Sequence, residues 1–278
     1  MIENWDQMQE GIAHLVELAN DERAGLVMIP LDSVRLQPPL AARRSTIFAL
    51  GGNVAAHMVG VYKVVFGKEV TPDFFLKEKR DGLPPWGFPV MPETIIGPGD
   101  AVRPPGCIQK LDYGCEVAAI LKNGGRNLRA DELEVWGYTV HNDFGIRDNR
   151  LGIGAPIHRG AFNWCLEKNF VTAKSFGPWI VVDARDAAAP MRCRLRVNGY
   201  PRQDWSTSEM IWSFGETAEF ISSYIDLAPG DVICSGTGQG TALESGRDGD
   251  RWLRPGDKVE AEVEGIGVLR NSIAAWQS

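Results

Sequence analysis

The stretch Leu-Asp-Tyr-Gly-Cys-Glu-Val-Ala, residues 111–118, opens the part of the chain in which predicted strands dominate. Outward from it, the tripeptide Pro-Gly-Asp recurs at 98–100, 229–231 and 255–257, and each copy precedes a run that is compatible with a strand. The spacing of the three copies is irregular, so they are turns and not a structural repeat. The sequence therefore predicts one β-rich domain after about residue 100.

Two segments alternate in the manner of strands with one buried face. In 258–263 apolar residues alternate with glutamates, and in 192–197 arginines alternate with apolar residues. Asn198-Gly199 follows the second segment and is typical of a two-residue hairpin turn. Together with the helical patterns described next, these strands predict an α+β fold that is mostly β.

The first hundred residues predict a smaller, mixed α/β segment. Apolar side chains recur at spacings of three and four from Trp5 to Ala19, which indicates one face of an amphipathic helix. Such a face is more often part of a core than of an interface. We therefore expect the stripe to be buried.

Residues 47–50 predict a short buried strand, which Gly51-Gly52 ends. Asn53 is a candidate cap for a helix over 54–65. Residues 78–106 are rich in proline and glycine and predict a long, partly irregular excursion. The expected organisation is a small N-terminal segment, residues 1–100, and a β-rich domain, residues 101–278.

Composition excludes several classes of protein. The 278 residues carry a net charge of -7, which argues against nucleic-acid and membrane partners but not against a small anionic substrate. The chain has no run of about 18 apolar residues and no basic, apolar start of a signal peptide. Its five cysteines are odd in number and form no C-x-x-C pair. Reduced thiols and a cytoplasmic protein are therefore expected.

Several short motifs occur along the chain in one order. They are Gly51-Gly52-Asn53 with His57, the stretch 111–118, Gly137–Asp143 with Arg147-Asp148, Lys174-Ser175-Phe176, Val197-Asn198-Gly199 with Gln203, Pro229-Gly230-Asp231, Ser235-Gly236-Thr237 and Gly265–Asn271. Together they resemble the fumarylacetoacetate hydrolase (FAH) superfamily, with altered catalytic positions. The resemblance implies a roll of mixed β-sheets around a metal site, a homodimer, and chemistry on 2-oxo acids or 1,3-dicarbonyl compounds.

The resemblance implies that Glu116 and Asp143 bind Mg²⁺ or Mn²⁺, which would stabilise an enolate. The position of a further glutamate ligand is Gly114 in this chain. Asp112, a water molecule or a substrate oxygen could fill that gap. The simpler alternative is that both acids are solvated or paired with Arg147, without a metal.

His57 matches the histidine that moves a proton in the family, and Lys174 matches a lysine that would stabilise an oxyanion. The position of the usual carboxylate partner of the histidine is Gly60. Glu244, in a later acidic loop, is a candidate substitute, although that loop could simply be solvated.

The same resemblance implies four groups that contact the substrate. Arg147 could hold a carboxylate, Lys77 matches a strand bordering the pocket, and Thr237 lies in a glycine-rich turn. Arg150 replaces a glutamine and adds positive charge.

The leading hypothesis is hydrolytic cleavage of a C–C bond in a 1,3-dicarbonyl compound or 2-oxo acid. An isomerase, decarboxylase or cyclase on a related substrate is the alternative, and a non-catalytic relative is the third possibility. Ser235–Gly240 lacks the G-x-G-x-x-G and G-K-[ST] patterns of nucleotide loops, and no G-x-S-x-G motif of a serine hydrolase occurs.

Overall fold

The computed structural model describes residues 2–21, 25–40, 45–106, 108–148, 160–182 and 190–276. Most of the regular structure is β, which confirms the predicted α+β class. The helices are α1 Trp5–Ala19, α2 Ala55–Val61, α3 Pro72–Arg80, α4 Ala161–Lys168 and α5 Phe214–Ser222. The strands are β1 Ile47–Gly51, β2 Trp86–Pro89, β3 Ile95–Ile96, β4 Ala101–Val102, β5 Leu111–Asp112, β6 Cys115–Leu121, β7 Val135–Asp143, β8 Gly145–Ile146, β9 Lys174–Val182, β10 Arg192–Val197, β11 Tyr200–Ser206, β12 Val232–Cys234, β13 Lys258–Val263 and β14 Gly267–Ile273.

A seven-stranded mixed sheet has the order β2-β1-β12-β6-β7-β9-β3. Strand β6 runs antiparallel to β12 and β7, and β7 runs antiparallel to β9. Strands β1 and β3 pair in parallel with β12 and β9, respectively. All residues of β6 are buried, as expected for a mostly apolar run that is covered on both faces. This sheet carries Glu116 and Asp143.

A five-stranded sheet, β11-β10-β13-β14-β4, covers one face of the first. The expected hairpin at Asn198-Gly199 joins β10 and β11, and the predicted alternation places one face of β13 in the core. Val117 of the first sheet belongs to the same apolar cluster as Leu195 and Ala261 of the second. The two sheets therefore share one core.

The segment before residue 101 contributes β1, β2 and β3 to the seven-stranded sheet. The predicted boundary near residue 100 therefore does not separate two sheets. The excursion that was expected over 78–106 contains the end of α3 and the strands β2, β3 and β4, because its extended pieces pair with strands that are distant in sequence.

Two local expectations were wrong. Leu15 on α1 is 57% exposed, and Met8, Ile12 and Val16 are exposed as well, so most of the apolar stripe is not buried in this chain. Asn53 does not cap α2, which begins after Val54. Its amide instead donates to the carbonyls of Trp212 and Ser235 and accepts from the Trp212 N–H, joining two loops beside the site.

In the described part of the chain, no helix has both the length and the apolar character needed to span a bilayer.

Replacing Leu195 by alanine tests the shared core. Leu195 is fully buried between the sheets, so we expect the Leu195→Ala variant to lose about 2–5 kcal/mol of unfolding free energy. Leu15→Ala, at an exposed helical position, should change it by less than about 0.5 kcal/mol. Urea unfolding measures both, and equal small losses would contradict the packing described here.

Candidate active site

A cavity of about 330 Å³ opens beside the seven-stranded sheet. Polar, aromatic and aliphatic side chains surround it. The polar lining comprises His57, Glu116, Asp143, Arg147, Lys168 and Thr237. The aromatic lining comprises Tyr62, Phe66, Phe75, Trp86, Phe88, Trp164 and Trp212.

Strand pairing places the acidic groups of the polar lining next to each other. Glu116 on β6 lies opposite His141 on β7, and Asp143 follows two residues later on the same face of β7. Lys174, the first residue of β9, lies opposite Asp143. The regular register of three antiparallel strands thus creates a compact cluster of buried charges.

Asp143 is neutralised by two ammonium groups. Lys168 Nζ donates to its Oδ2 at 2.5 Å, and Lys174 Nζ donates to its Oδ1. Burial by itself would raise the pKa of the Asp143 carboxyl. The charges of Lys168 and then Lys174 lower it by more than burial raises it, so the pKa lies below its usual value. Asp143 is therefore an anion in a salt bridge with both lysines.

Lys168 was missed by the sequence reasoning. It is the last residue of α4, where no motif marks it. The packing of α4 against β8, and of Trp164 on α4 against Phe88 on β2, brings Lys168 to Asp143 and to the Phe88 ring. Lys174 is fully enclosed, donates also to the Phe144 carbonyl, and does not line the cavity. Burial lowers the pKa of Lys174 to about 8. The ammonium group at the cavity surface is therefore that of Lys168.

Glu116 is fully buried, and its Oε2 has no hydrogen-bond partner among the described residues. Burial first, and then the charge of Asp143, raise the pKa of the Glu116 carboxyl well above its usual value. A proton or a cation would therefore stabilise this side chain where it lies.

The residues around Glu116 fit a divalent cation in their chemistry. Donor atoms of Glu116, His141 and Cys234 lie within 4.8 Å of one another. His141 Nδ1 lies 3.0 Å from the Ser175 carbonyl, so it is the protonated nitrogen, and Nε2, which has no partner among the described residues, keeps its lone pair. Burial lowers the pKa of His141 to about 3, so the ring is neutral. The expectation that Asp143 is a metal ligand stays a prediction, since both of its oxygens accept from lysines here.

Thr237 occupies the space that a side chain at position 114 would need. A Cβ on Gly114 would lie 3.0 Å from Thr237 Cβ. The Thr237 hydroxyl donates to the Cys115 carbonyl and accepts from Gln203 Nε2. The glycine at position 114 is therefore matched by a neighbour from the loop after β12. Asp112 does not reach this position, because it binds Arg147.

His57 has a carboxylate partner in this structure. Its Nδ1 lies 2.6 Å from Glu244 Oε1, although the two residues are far apart in sequence. Gly60 lies one helical turn beyond His57, and a Cβ there would come within 2.7 Å of Glu244 Cγ. The absence of a side chain at position 60 therefore leaves the room that Glu244 fills. The alternative, in which the acidic loop is simply solvated, does not apply to Glu244, because its carboxylate is paired with His57.

Further hydrogen bonds fix Glu244 in its orientation. Its carboxylate also accepts from the N–H groups of Gly240 and Thr241 and from the Thr241 hydroxyl. Burial by itself would raise the pKa of Glu244. The hydrogen bonds from His57 and from the backbone lower it by more than burial raises it, so the pKa lies below its usual value. Glu244 is thus an anion that can hold the His57 ring.

Arg147 lies at the cavity with its Nε 3.0 Å from Asp112 Oδ2. The second Asp112 oxygen accepts from the Ala242 N–H. This pairing contradicts the alternative in which Arg147 neutralises Glu116 and Asp143. Among the residues that the structure describes, no other group accepts a hydrogen bond from the guanidinium, so its other N–H groups can contact a ligand.

Two predicted substrate contacts fall outside this arrangement. Lys77 does not lie on a strand bordering the pocket; it lies on α3, is exposed, and pairs with Asp81. Its neighbour Phe75 points to the cavity instead, because the helical period turns Lys77 to the other side. Arg150 lies outside the described residues.

Comparison with known families gives one match over most of the chain. The sequence profile described as the fumarylacetoacetate (FAA) hydrolase C-terminal domain matches residues 46–274. Among curated proteins, an oxaloacetate tautomerase of Bacillus subtilis, YisK, is 31% identical over 273 residues, which are 94% of this chain and 82% of that protein.

Solved structures of related enzymes have the same fold. A 5-carboxymethyl-2-hydroxymuconate delta-isomerase from Mycobacterium smegmatis is 29% identical, with a TM-score of 0.67, over 88% of this chain and 82% of that one. A maleylpyruvate hydrolase from Sphingobium sp. SYK-6, solved with manganese and pyruvate, has a TM-score of 0.70 over 99% of this chain and 84% of that one. Its 20% identity supports the likeness of fold alone.

The pairing of His57 with Glu244 predicts a dependence of stability on pH. Since the folded-state pKa of Glu244 is lowered, its contribution is complete above the unfolded-state value and is lost as pH falls through the folded-state value. We expect Glu244→Gln to cost about 1–3 kcal/mol of unfolding free energy at pH 7, and less in acid. Denaturant unfolding across pH measures this. Glu10→Gln, on the exposed surface of α1, should show neither effect.

The cluster around Glu116 predicts a cation-binding phenotype. We expect Mn²⁺ to bind chelator-treated protein in titration calorimetry, and Glu116→Gln to weaken binding at least about tenfold. Loss in Cys234→Ser but not in Asp143→Asn would assign the ion to Glu116, His141 and Cys234, and the reverse would assign it to the pair expected from the sequence. Glu78→Gln, elsewhere on the cavity, is the control. Absence of binding at millimolar Mn²⁺ would contradict both assignments.

Proposed function

This chain belongs to the fumarylacetoacetate hydrolase family, and from that premise we propose that it is a keto–enol tautomerase acting on a 2-oxo acid. The observation that carries the proposal is the His57–Glu244 pair at a cavity that also contains Lys168 and Arg147. Tautomerisation needs one group that moves a proton at carbon and one that stabilises the enolate oxygen. The relatives named as a tautomerase and an isomerase support this class of reaction.

His57 is the proton-transfer group of this mechanism. Glu244 accepts the Nδ1–H bond and thereby holds the ring in the tautomer whose Nε2 carries a lone pair. Nε2 removes a proton from C3 of the 2-oxo acid, and the C–H electrons form the C2–C3 double bond of the enolate. A proton returned to the C2 oxygen completes the enol, and the reverse sequence gives the keto form.

Lys168 and Arg147 supply the positive charge. The Lys168 ammonium donates one hydrogen bond to Asp143 and has two further N–H groups for the enolate oxygen. Arg147 uses Nε for Asp112, and its remaining N–H groups suit the substrate carboxylate. Asp143 holds Lys168 in place. Lys174, which does not line the cavity, helps to neutralise Asp143 and is a positioning residue rather than an oxyanion ligand.

A divalent cation fits this scheme as an additional electrophile. Glu116, with His141 and Cys234, would hold it, and it would supply Lewis-acid stabilisation of an enolate. Of the two ions expected from the sequence, we propose Mn²⁺, because this set of residues includes the imidazole of His141 and the sulfur of Cys234, and Mg²⁺ is the more strictly limited of the two to oxygen ligands.

The second candidate function is hydrolytic C–C cleavage. The observation that favours it is the same carboxylate partner of His57, because an oriented histidine can also activate water. The loss of a partner at Gly60 would have argued against hydrolysis, and Glu244 removes that argument.

Removing the imidazole tests the tautomerase mechanism. With oxaloacetate as the probe, we expect His57→Gln to lower kcat/KM for enol-to-keto conversion about 10²–10⁴-fold, because the oriented base is lost. The decay of enol absorbance measures this rate after subtraction of the uncatalysed reaction. His14→Gln, at an exposed position of α1, is the matched control and should behave as the unmodified protein. An unchanged rate in His57→Gln would refute the mechanism.

Products formed in ¹⁸O-labelled water separate the two candidates. A tautomerase leaves the carbon skeleton of an acylpyruvate probe intact, whereas a hydrolase releases a shorter acid with label in its new carboxylate. Mass spectrometry distinguishes these outcomes, and labelled cleavage product that depends on His57 would replace the first candidate by the second.

A further inference from the structure

The aromatic lining of the cavity carries information about the substrate that the polar lining does not. Its seven rings come from five separate parts of the chain. They are Tyr62 and Phe66 after α2, Phe75 on α3, Trp86 and Phe88 on β2, Trp164 on α4 and Trp212 before α5. A reaction confined to a small 2-oxo acid requires only the polar lining. The rings therefore indicate what else the substrate contains.

The rings support one another and so form a wall before any ligand binds. The Trp164 ring lies 5.3 Å from that of Trp86 and 5.0 Å from that of Phe88, measured between centroids. The Tyr62 and Phe75 rings meet edge to face at 5.0 Å. Such contacts restrict the orientation of each ring, so the binding of an apolar ligand costs little additional conformational entropy in these side chains.

The Trp86 indole packs against two glycines, whose lack of a side chain leaves room for it. Trp86 lies opposite Gly51 in the β1–β2 pair, and its indole covers Gly51 and Gly52. A Cβ on Gly51 would lie 2.4 Å from the indole, and one on Gly52 would lie 2.9 Å from it. The backbone thus brings the indole to the cavity, with 44% of the residue still exposed. A large exposed ring beside a polar site is typical of a ligand contact.

The two linings meet at Lys168. Its Nζ lies 5.8 Å from the centre of the Phe88 ring while it donates to Asp143. A ligand whose oxygen reaches Lys168 therefore places its neighbouring atoms beside Phe88, and Phe88 contacts Trp164. The path from the reacting end of the substrate leads onto the aromatic lining.

The distribution of charge disfavours a second carboxylate on that path. Among the lining residues that the structure describes, the cationic side chains are Arg147 and Lys168, and both lie in the polar lining. The ionisable neighbour of the aromatic lining is the Glu78 carboxylate. Like charges that face each other across a binding site lower affinity.

We propose that the substrate is a 2-oxo acid that carries an aryl group, or an apolar group of similar size, at C3. The carboxylate and the oxygen at C2 contact Arg147 and Lys168, and the aryl group lies against Trp86, Phe88 and Trp164. This assignment rests on the proposed tautomerase function and adds the class of substrate to it. A volume of about 330 Å³ is at the lower end of the range for pockets that take small organic molecules.

The test compares phenylpyruvate with oxaloacetate, which has a carboxylate in place of the phenyl group. In the unmodified protein we expect kcat/KM for tautomerisation to be at least about tenfold higher for phenylpyruvate. Trp86→Ala should reduce this preference about tenfold, and Trp86→Phe should restore most of it. Trp179→Ala is the matched control, because Trp179 is 43% exposed and lies outside the cavity lining. It should leave the preference unchanged.

The outcomes separate this inference from the function on which it rests. Higher kcat/KM for oxaloacetate, or equal losses on both substrates in Trp86→Ala, would overturn the substrate class while leaving a tautomerase. If neither acid is converted, the proposed function fails, and titration calorimetry with the same two acids decides the ligand class. Tighter binding of phenylpyruvate that Trp86→Ala weakens would support it, and equal or tighter binding of oxaloacetate would overturn it.

Discussion

Asp143 carries a negative charge into the interior of the seven-stranded sheet, where the ammonium groups of Lys168 and Lys174 neutralise it. Burying one of these charges without the others would be costly, because a desolvated ion is stable only when it is paired. The end of α4 and the beginning of β9 must therefore meet the end of β7. Once they do, Lys168 lies at the cavity, and the neighbouring Glu116 is held in a site where a proton or a cation stabilises it. The position of the polar lining follows from this constraint.

The loop after β12 completes the site from the other side. It supplies Thr237 beside Gly114 and Glu244 beside Gly60. At both positions where the chain has glycine instead of a family glutamate, a side chain from this loop takes the space. Gly240 allows the loop its path, because it has a positive φ and a Cβ there would meet the Arg202 carbonyl at 2.0 Å. The two glycines that depart from the family pattern are thus matched by side chains from the loop after β12.

The polar and aromatic linings divide the work of the proposed reaction. The polar lining contains the groups that move a proton and stabilise negative charge. These groups can stay the same when the side chain of the substrate differs. The aromatic lining comes in part from β2, which lies within residues 78–106, where the sequence showed little regular pattern, and from α3, which overlaps the start of that stretch. Specificity in such an arrangement can vary while the reacting groups stay in place.

Much of the architecture was determined by the sequence, because its cause is local or repeats along the chain. The alternation in 192–197 and 258–263 and the Asn198-Gly199 turn predicted strands and a hairpin that the structure contains, and the ordered motifs indicated the family. The motifs also brought forward His57, Glu116, Asp143 and Arg147, which do share one cavity. The tertiary structure decided which partner each of them has. Contacts between segments far apart in sequence determine the position of Lys168, the position of Glu244 beside His57, and the exposure of the α1 stripe. No local sequence pattern indicates such contacts.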